Sequence, residues 1–97
     1  MKDLEIREEA ESDISESYSW YEEKREGLGS HFLLCIEEGL ARITRNPRQF
    51  PELLSPIRRT FIKRFPYAAY FIEKETKIVV IAVLHNRQKP STWQNRT

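Results

Sequence analysis

The sequence has few of the features that stabilise a chain covalently or anchor it in a bilayer. Its only cysteine is Cys35, so no internal disulfide can form. No apolar run approaches the roughly 18 residues that a membrane-spanning helix needs, and the N-terminal residues lack the apolar segment of a secretory signal. We therefore predict a cytoplasmic protein without membrane association, in which Cys35 is a buried thiol.

Motifs that bind metals, phosphates or cofactors are lacking as well. The three glycines do not form a phosphate-binding loop, and the cysteine and the two histidines lack the spacing of a zinc site. No serine, histidine and aspartate follow the order of a hydrolase with a nucleophile elbow. We predict that the protein has no metal site and needs no cofactor.

The net charge of +1 conceals an uneven distribution of charge along the chain. Residues 1–26 carry ten acidic and four basic side chains, whereas residues 57–97 carry two acidic and nine basic ones. A basic C-terminal part favours the binding of an acidic partner. The alternative interpretation is that the two charged surfaces only keep a small protein soluble.

The first half of the chain has the periodicity of one strand and two helices. Residues 2–7 alternate between apolar and charged side chains, which predicts a short strand. From Glu8 onwards the apolar residues recur at helical spacing, and a second amphipathic pattern runs from Leu28 or Ser30 to Arg45. Pro47 ends the second helix, because proline disfavours helical geometry at the residue before it. We predict an antiparallel helical hairpin.

Three strands are predicted in the second half, at about residues 57–65, 67–74 and 77–85. Only Glu75 and Thr76 separate the last two, so these strands must be antiparallel. The predicted class is α+β, with the order β-α-α-β-β-β and the helical hairpin packed on an antiparallel sheet. At 97 residues the chain is predicted to be a single domain, residues 1–97, with a basic C-terminal tail at residues 85–97.

The last predicted strand is apolar on both faces. Strict alternation puts Ile78, Val80, Ala82 and Leu84 on one face and Val79, Ile81, Val83 and His85 on the other. The helical hairpin can cover one face only. The other is either a binding surface for a partner or is covered by residues 47–56 or by the tail at residues 88–97. The pattern leaves both possibilities open.

Basic residues and a histidine are candidates for chemistry on phosphate. The first of the three strands carries Arg58, Arg59, Lys63 and Arg64, and His85 ends the last one with Arg87 beyond it. We expect them to converge near one edge of the sheet. Metal-free RNA cleavage needs a proton acceptor, a proton donor and cations for the phosphorane charge. His85 fits either proton-transfer role, and Arg58, Arg64 and Arg87 fit the charge-stabilising one. The alternative is that His85 is structural.

Several short motifs resemble the RelE/ParE superfamily of bacterial toxins over nearly the whole chain. The most specific are Phe65-Pro66-Tyr67 and the spaced set His85, Arg87, Pro90 and Trp93, which are typical of the ParE-like branch. The resemblance implies two helices on a sheet and a cognate antitoxin whose flexible segment wraps and neutralises the toxin. It also implies inhibition of growth, which in several ParE-like members results from poisoning of DNA gyrase.

The RelE-like branch of the same superfamily provides the alternative function. Its members cleave mRNA on the ribosome with cations and a tyrosine near the C-terminus. No tyrosine follows Tyr70 in this sequence, so we favour a toxin that is not an enzyme and that acts by binding gyrase. The alternative is a ribosome-dependent mRNA endonuclease that uses Arg58, Arg64, His85 and Arg87.

The candidate binding residues follow from these interpretations. Residues predicted to bind the target are Arg58, Arg59, Lys63, Arg64, His85, Arg87 and Trp93. Residues predicted to bind the antitoxin, in a hetero-oligomer, are Phe61, Ile62, Val79, Ile81 and Val83.

Overall fold

The computed structural model describes residues 2–96 and contains three helices on a five-stranded sheet. The strands are β1 (Asp3–Ile6), β2 (Glu52–Leu54), β3 (Ile57–Phe61), β4 (Tyr67–Glu73) and β5 (Lys77–His85). The helices are α1 (Glu8–Lys24), α2 (Leu28–Arg45) and the short α3 (Ser91–Gln94), and a 3-10 turn spans Pro47–Gln49. The α+β class and the helical hairpin are confirmed, whereas β2 and α3 were not predicted.

The turn between α1 and α2 depends on one carboxylate and one glycine. Gly27 adopts a left-handed backbone conformation with φ +87°, which glycine reaches without a steric penalty. Glu22, in the last turns of α1, accepts the backbone N–H groups of Gly27 and Gly29, both at 2.9 Å. It thereby satisfies donors that the first turn of α2 leaves without a helical partner. The hairpin is therefore closed by a side chain of its own first helix.

The sheet is mixed, and its strand order is β1-β5-β4-β3-β2. The three pairs from β5 to β2 are antiparallel, as predicted. β1 pairs with the first half of β5 in parallel, with Leu4 opposite Ile78. The expectation of a wholly antiparallel sheet is therefore wrong at this edge. The helical hairpin brings the chain back to the end of the sheet where β1 stops, so β2 runs antiparallel to β1. Three further reversals, from β2 to β5, leave β5 parallel to β1.

A β-bulge in β5 changes which residues share a face. Tyr70 of β4 pairs with Ala82, but the next residue, Phe71, pairs with Val80, so β5 contains one extra residue at this point. Beyond the bulge the alternation is reversed. Val83 lies in the core beneath the helices together with Val80, whereas Ala82 faces the other side. The predicted grouping of Val83 with Val79 and Ile81 is therefore wrong.

The strand β3 ends four residues before the predicted boundary. Its regular pairing with β4 stops at Phe61, which pairs with Ala68. Lys63 and Arg64 lie in the following loop, and Arg64 has the left-handed φ of +70° that interrupts a strand. The prediction that these two cations belong to a strand is wrong. They project from one end of the sheet instead.

Two apolar clusters are buried, one on each face of the sheet. The larger lies between sheet and helices and includes Phe32, Phe71 and the free thiol of Cys35. The smaller, on the opposite face, includes Ile57, Val79 and Ile81 together with Trp93 of α3. The indole of Trp93 stacks on Tyr70, with ring centroids 5.0 Å apart. The C-terminal tail therefore helps to cover the second face, which was one of the two possibilities.

The end of the tail is attached to the edge of β5 that β1 leaves unpaired. Arg96 Nη1 donates to Asp13 Oδ2 of α1 at 2.6 Å and to the carbonyl of Ile81 at 3.2 Å. The same Asp13 carboxylate accepts the N–H of Val83 at 3.0 Å. Arg7 donates to the carbonyl of Arg96 at 2.6 Å. These contacts, which we call the tail clasp, satisfy strand groups that have no neighbouring strand.

Candidate interaction surface

Two basic loops meet at one end of the sheet, which we call the loop end. One connects β3 to β4 (residues 62–66), and the other connects β5 to α3 (residues 86–90). The N–H of Asn86 donates to the carbonyl of Pro66 at 2.8 Å, and Tyr67 pairs directly with His85. Because β4 and β5 are antiparallel neighbours, the start of one and the end of the other must coincide. The fold thus brings distant basic segments together.

Four exposed cations project from these two loops: Lys63, Arg64, Arg87 and Lys89. None of them forms an ion pair with a side chain of residues 2–96. Other basic side chains, such as Arg42 and Arg48, pair with carboxylates. The loop end therefore carries four positive charges that are not ion-paired among residues 2–96, and Glu38 shares a pocket with Lys63 and Arg64 without pairing with either. Lys89 was not among the predicted site residues, although its position in the same basic segment as Arg87 would have identified it.

His85 lies beside this cationic cluster in a defined orientation. Its Nδ1 accepts the backbone N–H of Arg87 at 3.1 Å, so in the neutral ring the proton resides on Nε2. The ring lies edge-on to Tyr67, with centroids 5.3 Å apart at 72°. His85 is thus fixed by a local hydrogen bond and an aromatic contact. These contacts suit the structural interpretation, and they leave only Nε2 for an external group.

An open pocket of about 360 Å³ lies next to His85, between α1 and the sheet. Trp20, Tyr21 and Tyr67 provide its aromatic surface, and Glu16 provides a carboxylate. Burial and the neighbouring Tyr67 hydroxyl raise the pKa of Tyr21 to about 12, so its phenol stays protonated at neutral pH. This pocket was not predicted from the sequence, because it combines residues from α1, β4 and β5.

Three of the predicted target-binding residues lie away from the loop end. Arg58 points to the helical side, where it donates to the carbonyl of Phe50. Arg59 lies on the opposite face, with its guanidinium 4.5 Å from the ring centroid of Phe61. Trp93, in the tail itself, is buried against Tyr70 on the face opposite the long helices. The expected convergence of Arg58, Arg59 and His85 is therefore wrong, because adjacent strand residues face opposite sides.

The residues predicted to contact an antitoxin also differ in accessibility. Phe61 is 56% exposed and available to a partner. The other four are buried in the described chain: Ile62, Val79, Ile81 and Val83. A partner could reach Val79 or Ile81 only after displacing the tail. Their role in antitoxin binding stays a prediction.

Two further features bear on the kind of site that is present. Within residues 2–96, no three His, Cys, Asp or Glu side chains are grouped so that they could hold a metal ion. No helix in the same range has the length and apolarity to cross a membrane.

Among known proteins, one family model matches most of this chain and a solved structure shares its fold. A family model described as "ParE toxin of type II toxin-antitoxin system, parDE" matches residues 4–90. A solved structure described as "Chromosomal ParDE TA system from P. aeruginosa" is similar with a TM-score of 0.78 and 19% identity. The match covers 88% of this chain and 96% of that one, and at this identity it establishes a shared fold. Among curated proteins there is no match.

Proposed function

The chain belongs to the ParE family of toxins of type II toxin–antitoxin systems, and from this we propose that it inhibits growth by binding DNA gyrase. In this proposal the four cations of the loop end form the main contact with the target. A cognate antitoxin, the partner that the family implies, neutralises the chain. Because gyrase works on chromosomal DNA, the proposal also puts the chain in the cytoplasm.

The observation that carries the proposal is a cluster of free cations without an assembled catalytic set. Lys63, Arg64 and Arg87 are exposed and unpaired within the described chain, as a surface that steers an acidic partner requires. Arg58, a candidate for stabilising a phosphorane, is bound to the Phe50 carbonyl on another part of the molecule. Binding therefore accounts for the arrangement better than cleavage does.

The proposal is tested by a supercoiling assay with purified gyrase, relaxed plasmid and ATP. We expect the wild-type chain to inhibit supercoiling in a dose-dependent manner. The double substitution Lys63→Glu/Arg64→Glu reverses two charges of the loop end and should weaken inhibition at least about tenfold, because rim charges govern encounter and orientation. Both side chains are exposed, so the fold should tolerate the change.

The matched control is Lys74→Glu, the same change in an exposed lysine of the β4–β5 turn at the opposite end of the sheet. It should inhibit like the wild type. Undisturbed supercoiling at every concentration of the wild-type chain would disprove the gyrase target. Equal potency of all three proteins would keep gyrase as the target but remove the loop end as the contact.

Ribosome-dependent mRNA cleavage is the second candidate, and the position of His85 beside Arg87 is the observation that favours it. The Nε2 of this half-buried histidine, near several cations, could serve proton transfer on RNA. Primer extension on transcripts from cells that express the chain distinguishes the two candidates. We expect uncut transcripts, and we expect His85→Gln to arrest growth as the wild type does. Cuts at codon-spaced positions that disappear in His85→Gln would favour the nuclease.

A further inference from the structure

The pocket beside His85 has features that the binding of an acidic target does not use. It is built from two turns of α1, from the first residue of β4 and from the last residue of β5. Its volume of about 360 Å³ lies within the range of roughly 300–1,000 Å³ that is usual for small-molecule sites. We call it the aromatic pocket. It has room for one small molecule.

Trp20 gives this pocket a surface on which a flat ring can stack. Its indole is 54% exposed, as one of five exposed large hydrophobic side chains of the described chain. The ammonium group of Lys24 lies 4.7 Å from the ring centroid, but Lys24 does not line the pocket. Tyr21 meets the indole edge-on, with centroids 5.0 Å apart at 89°. The indole surface that lines the pocket is therefore open to a planar ligand.

The pocket also offers one hydrogen-bond donor and one pair of acceptors. Nδ1 of His85 accepts the N–H of Arg87, so the neutral imidazole has its Nε2–H left for a ligand. Glu16 contributes two carboxylate oxygens and forms no ion pair among residues 2–96. A ligand that fits must therefore accept one hydrogen bond and donate to a carboxylate.

The charges around the pocket are opposite on its two sides. Arg87, on the loop-end side, is exposed and forms no ion pair among residues 2–96. The α1 side belongs to residues 1–26, which carry ten acidic and four basic side chains. A negative group is therefore favoured beside Arg87 and disfavoured along α1. This arrangement suits a short ligand with one anionic end, and it repels a nucleic-acid strand that would run across the helix.

The combination of stacking surface, hydrogen-bonding groups and charge selects one class of ligand. An apolar side chain of a partner would leave Glu16 and the His85 N–H without hydrogen bonds, which costs free energy. An arginine side chain would face the same N–H group and the charge of Arg87. Guanine has two adjacent N–H groups that match the two oxygens of a carboxylate, and its O6 and N7 accept hydrogen bonds. A phosphorylated guanosine adds the negative end.

We propose that the aromatic pocket binds a free guanine nucleotide. The base stacks on Trp20, its two N–H groups donate to Glu16, and the N–H of His85 donates to the base. The phosphates lie beside Arg87. The ligand is bound without forming or breaking a covalent bond. This binding is a property of the chain alone and goes beyond the function proposed above, with which it shares only Arg87.

Calorimetric titration of the purified chain with GTP, ATP and CTP tests the proposal. We expect GTP to bind with a Kd below about 1 mM and at least about tenfold more tightly than ATP or CTP, which lack the paired N–H groups. Trp20→Ala should weaken GTP binding at least about tenfold, which is within the measured range for base–aromatic stacking. Glu16→Gln removes one of the two acceptors and should reduce the affinity for GTP about tenfold, close to that for ATP.

Each of these variants has a matched control outside the pocket. Leu34→Ala removes another exposed apolar side chain, which is 64% exposed on α2. Glu9→Gln makes the same charge change at an exposed acid of α1 that does not line the pocket. Both controls should bind GTP within about threefold of the wild type, because exposed positions away from a site have small effects.

Nuclear magnetic resonance on the unmutated chain gives a measurement that does not depend on how the variants fold. The chain has two tryptophans, and Trp93 is buried on the face of the sheet opposite the long helices. GTP should shift the indole N–H signal of Trp20 and leave that of Trp93 in place. Both indole signals unmoved at millimolar GTP, or both moved equally, would contradict binding in the aromatic pocket.

Three results of the titrations would overturn the proposal. They are equal affinity for GTP, ATP and CTP, which would mean attraction of phosphate alone; wild-type affinity in Trp20→Ala; and tighter binding of a single-stranded oligonucleotide with one guanine than of GTP. No gyrase is present in these measurements. A chain that inhibits gyrase without binding GTP would therefore refute the nucleotide site alone, and a chain that binds GTP without affecting gyrase would refute the target alone.

Discussion

Replacement of Arg96 by alanine should destabilise the chain more than a substitution in a C-terminal tail usually does. The side chains of Arg96 and Asp13 are only 19% and 13% exposed, and they are joined by two N–O contacts of 2.6 and 3.3 Å. Arg96→Ala removes this pair and the donor to the Ile81 carbonyl. The Asp13 carboxylate then retains only the N–H of Val83.

The expected loss is about 2–3 kcal/mol in the free energy of unfolding. Removing one partner of a fully buried ion pair costs about 3–5 kcal/mol, but the clasp lies at the rim of the sheet, where water can replace part of the lost contacts. For a chain of this size each kcal/mol shifts Tm by about 4–8 °C. With a urea dependence of about 1–3 kcal/mol per M, the unfolding midpoint should fall by about 0.7–3 M.

Urea unfolding followed by tryptophan fluorescence measures this effect, and Arg87→Ala is its control. Arg87 is an exposed arginine of the same tail, and its side chain has no partner among residues 2–96, so its loss should cost under about 0.5 kcal/mol. A double-mutant cycle with Asp13→Ala should give a coupling energy above about 1 kcal/mol. Equal midpoints for Arg96→Ala and Arg87→Ala would refute the reasoning that the clasp holds the tail.

Three further predictions concern the helical hairpin and the titrating groups. Gly29→Ala should lower the free energy of unfolding by about 1–3 kcal/mol, because a Cβ there would lie 2.8 Å from the backbone carbonyl of Tyr18 in α1. At Gly39 an added Cβ would meet only the end of the Ile62 side chain, so Gly39→Ala should be nearly neutral when both are compared by urea unfolding. In a 295 nm titration, Tyr21 should ionise near pH 12. Its raised pKa means that its contribution to stability is fully present below pH 10 and is lost as the pH rises towards 12, an effect that Tyr21→Phe removes. Glu73 has its pKa lowered, chiefly by hydrogen bonds from Lys2 and Arg48, so Glu73→Gln should reduce stability by under about 1 kcal/mol at pH 7, and this difference should disappear as the pH falls through the lowered pKa and the wild-type carboxyl takes up a proton.

The elements that could be predicted from the sequence are those with a strong period or a strong stop signal. The helical pattern from Glu8 and the proline after Asn46 identified both long helices within about two residues. The alternation at residues 2–7 identified β1 but not its partner, because pairing is decided by the crossover through α1. β2 has three exposed residues and no buried face, so no periodic signal marks it.

The site was harder to predict because it depends on register. Residues 78–84 are all apolar, and a bulge in such a run leaves no trace in the pattern, although it moves Val83 and His85 to the helical side. The assignment of Lys63 and Arg64 to a strand failed for a similar reason. Their alternation with apolar neighbours fits a strand, and only the left-handed φ at Arg64 shows that the chain turns there.

The two apolar faces of β5 explain where a partner can and cannot bind. A strand buried on both sides needs a second cover, and Trp93 and the clasp at Arg96 supply it from the chain itself. This part of the sheet face is therefore covered without a partner. The cations of the loop end form no ion pair among residues 2–96, so in the proposed function they stay available to the target.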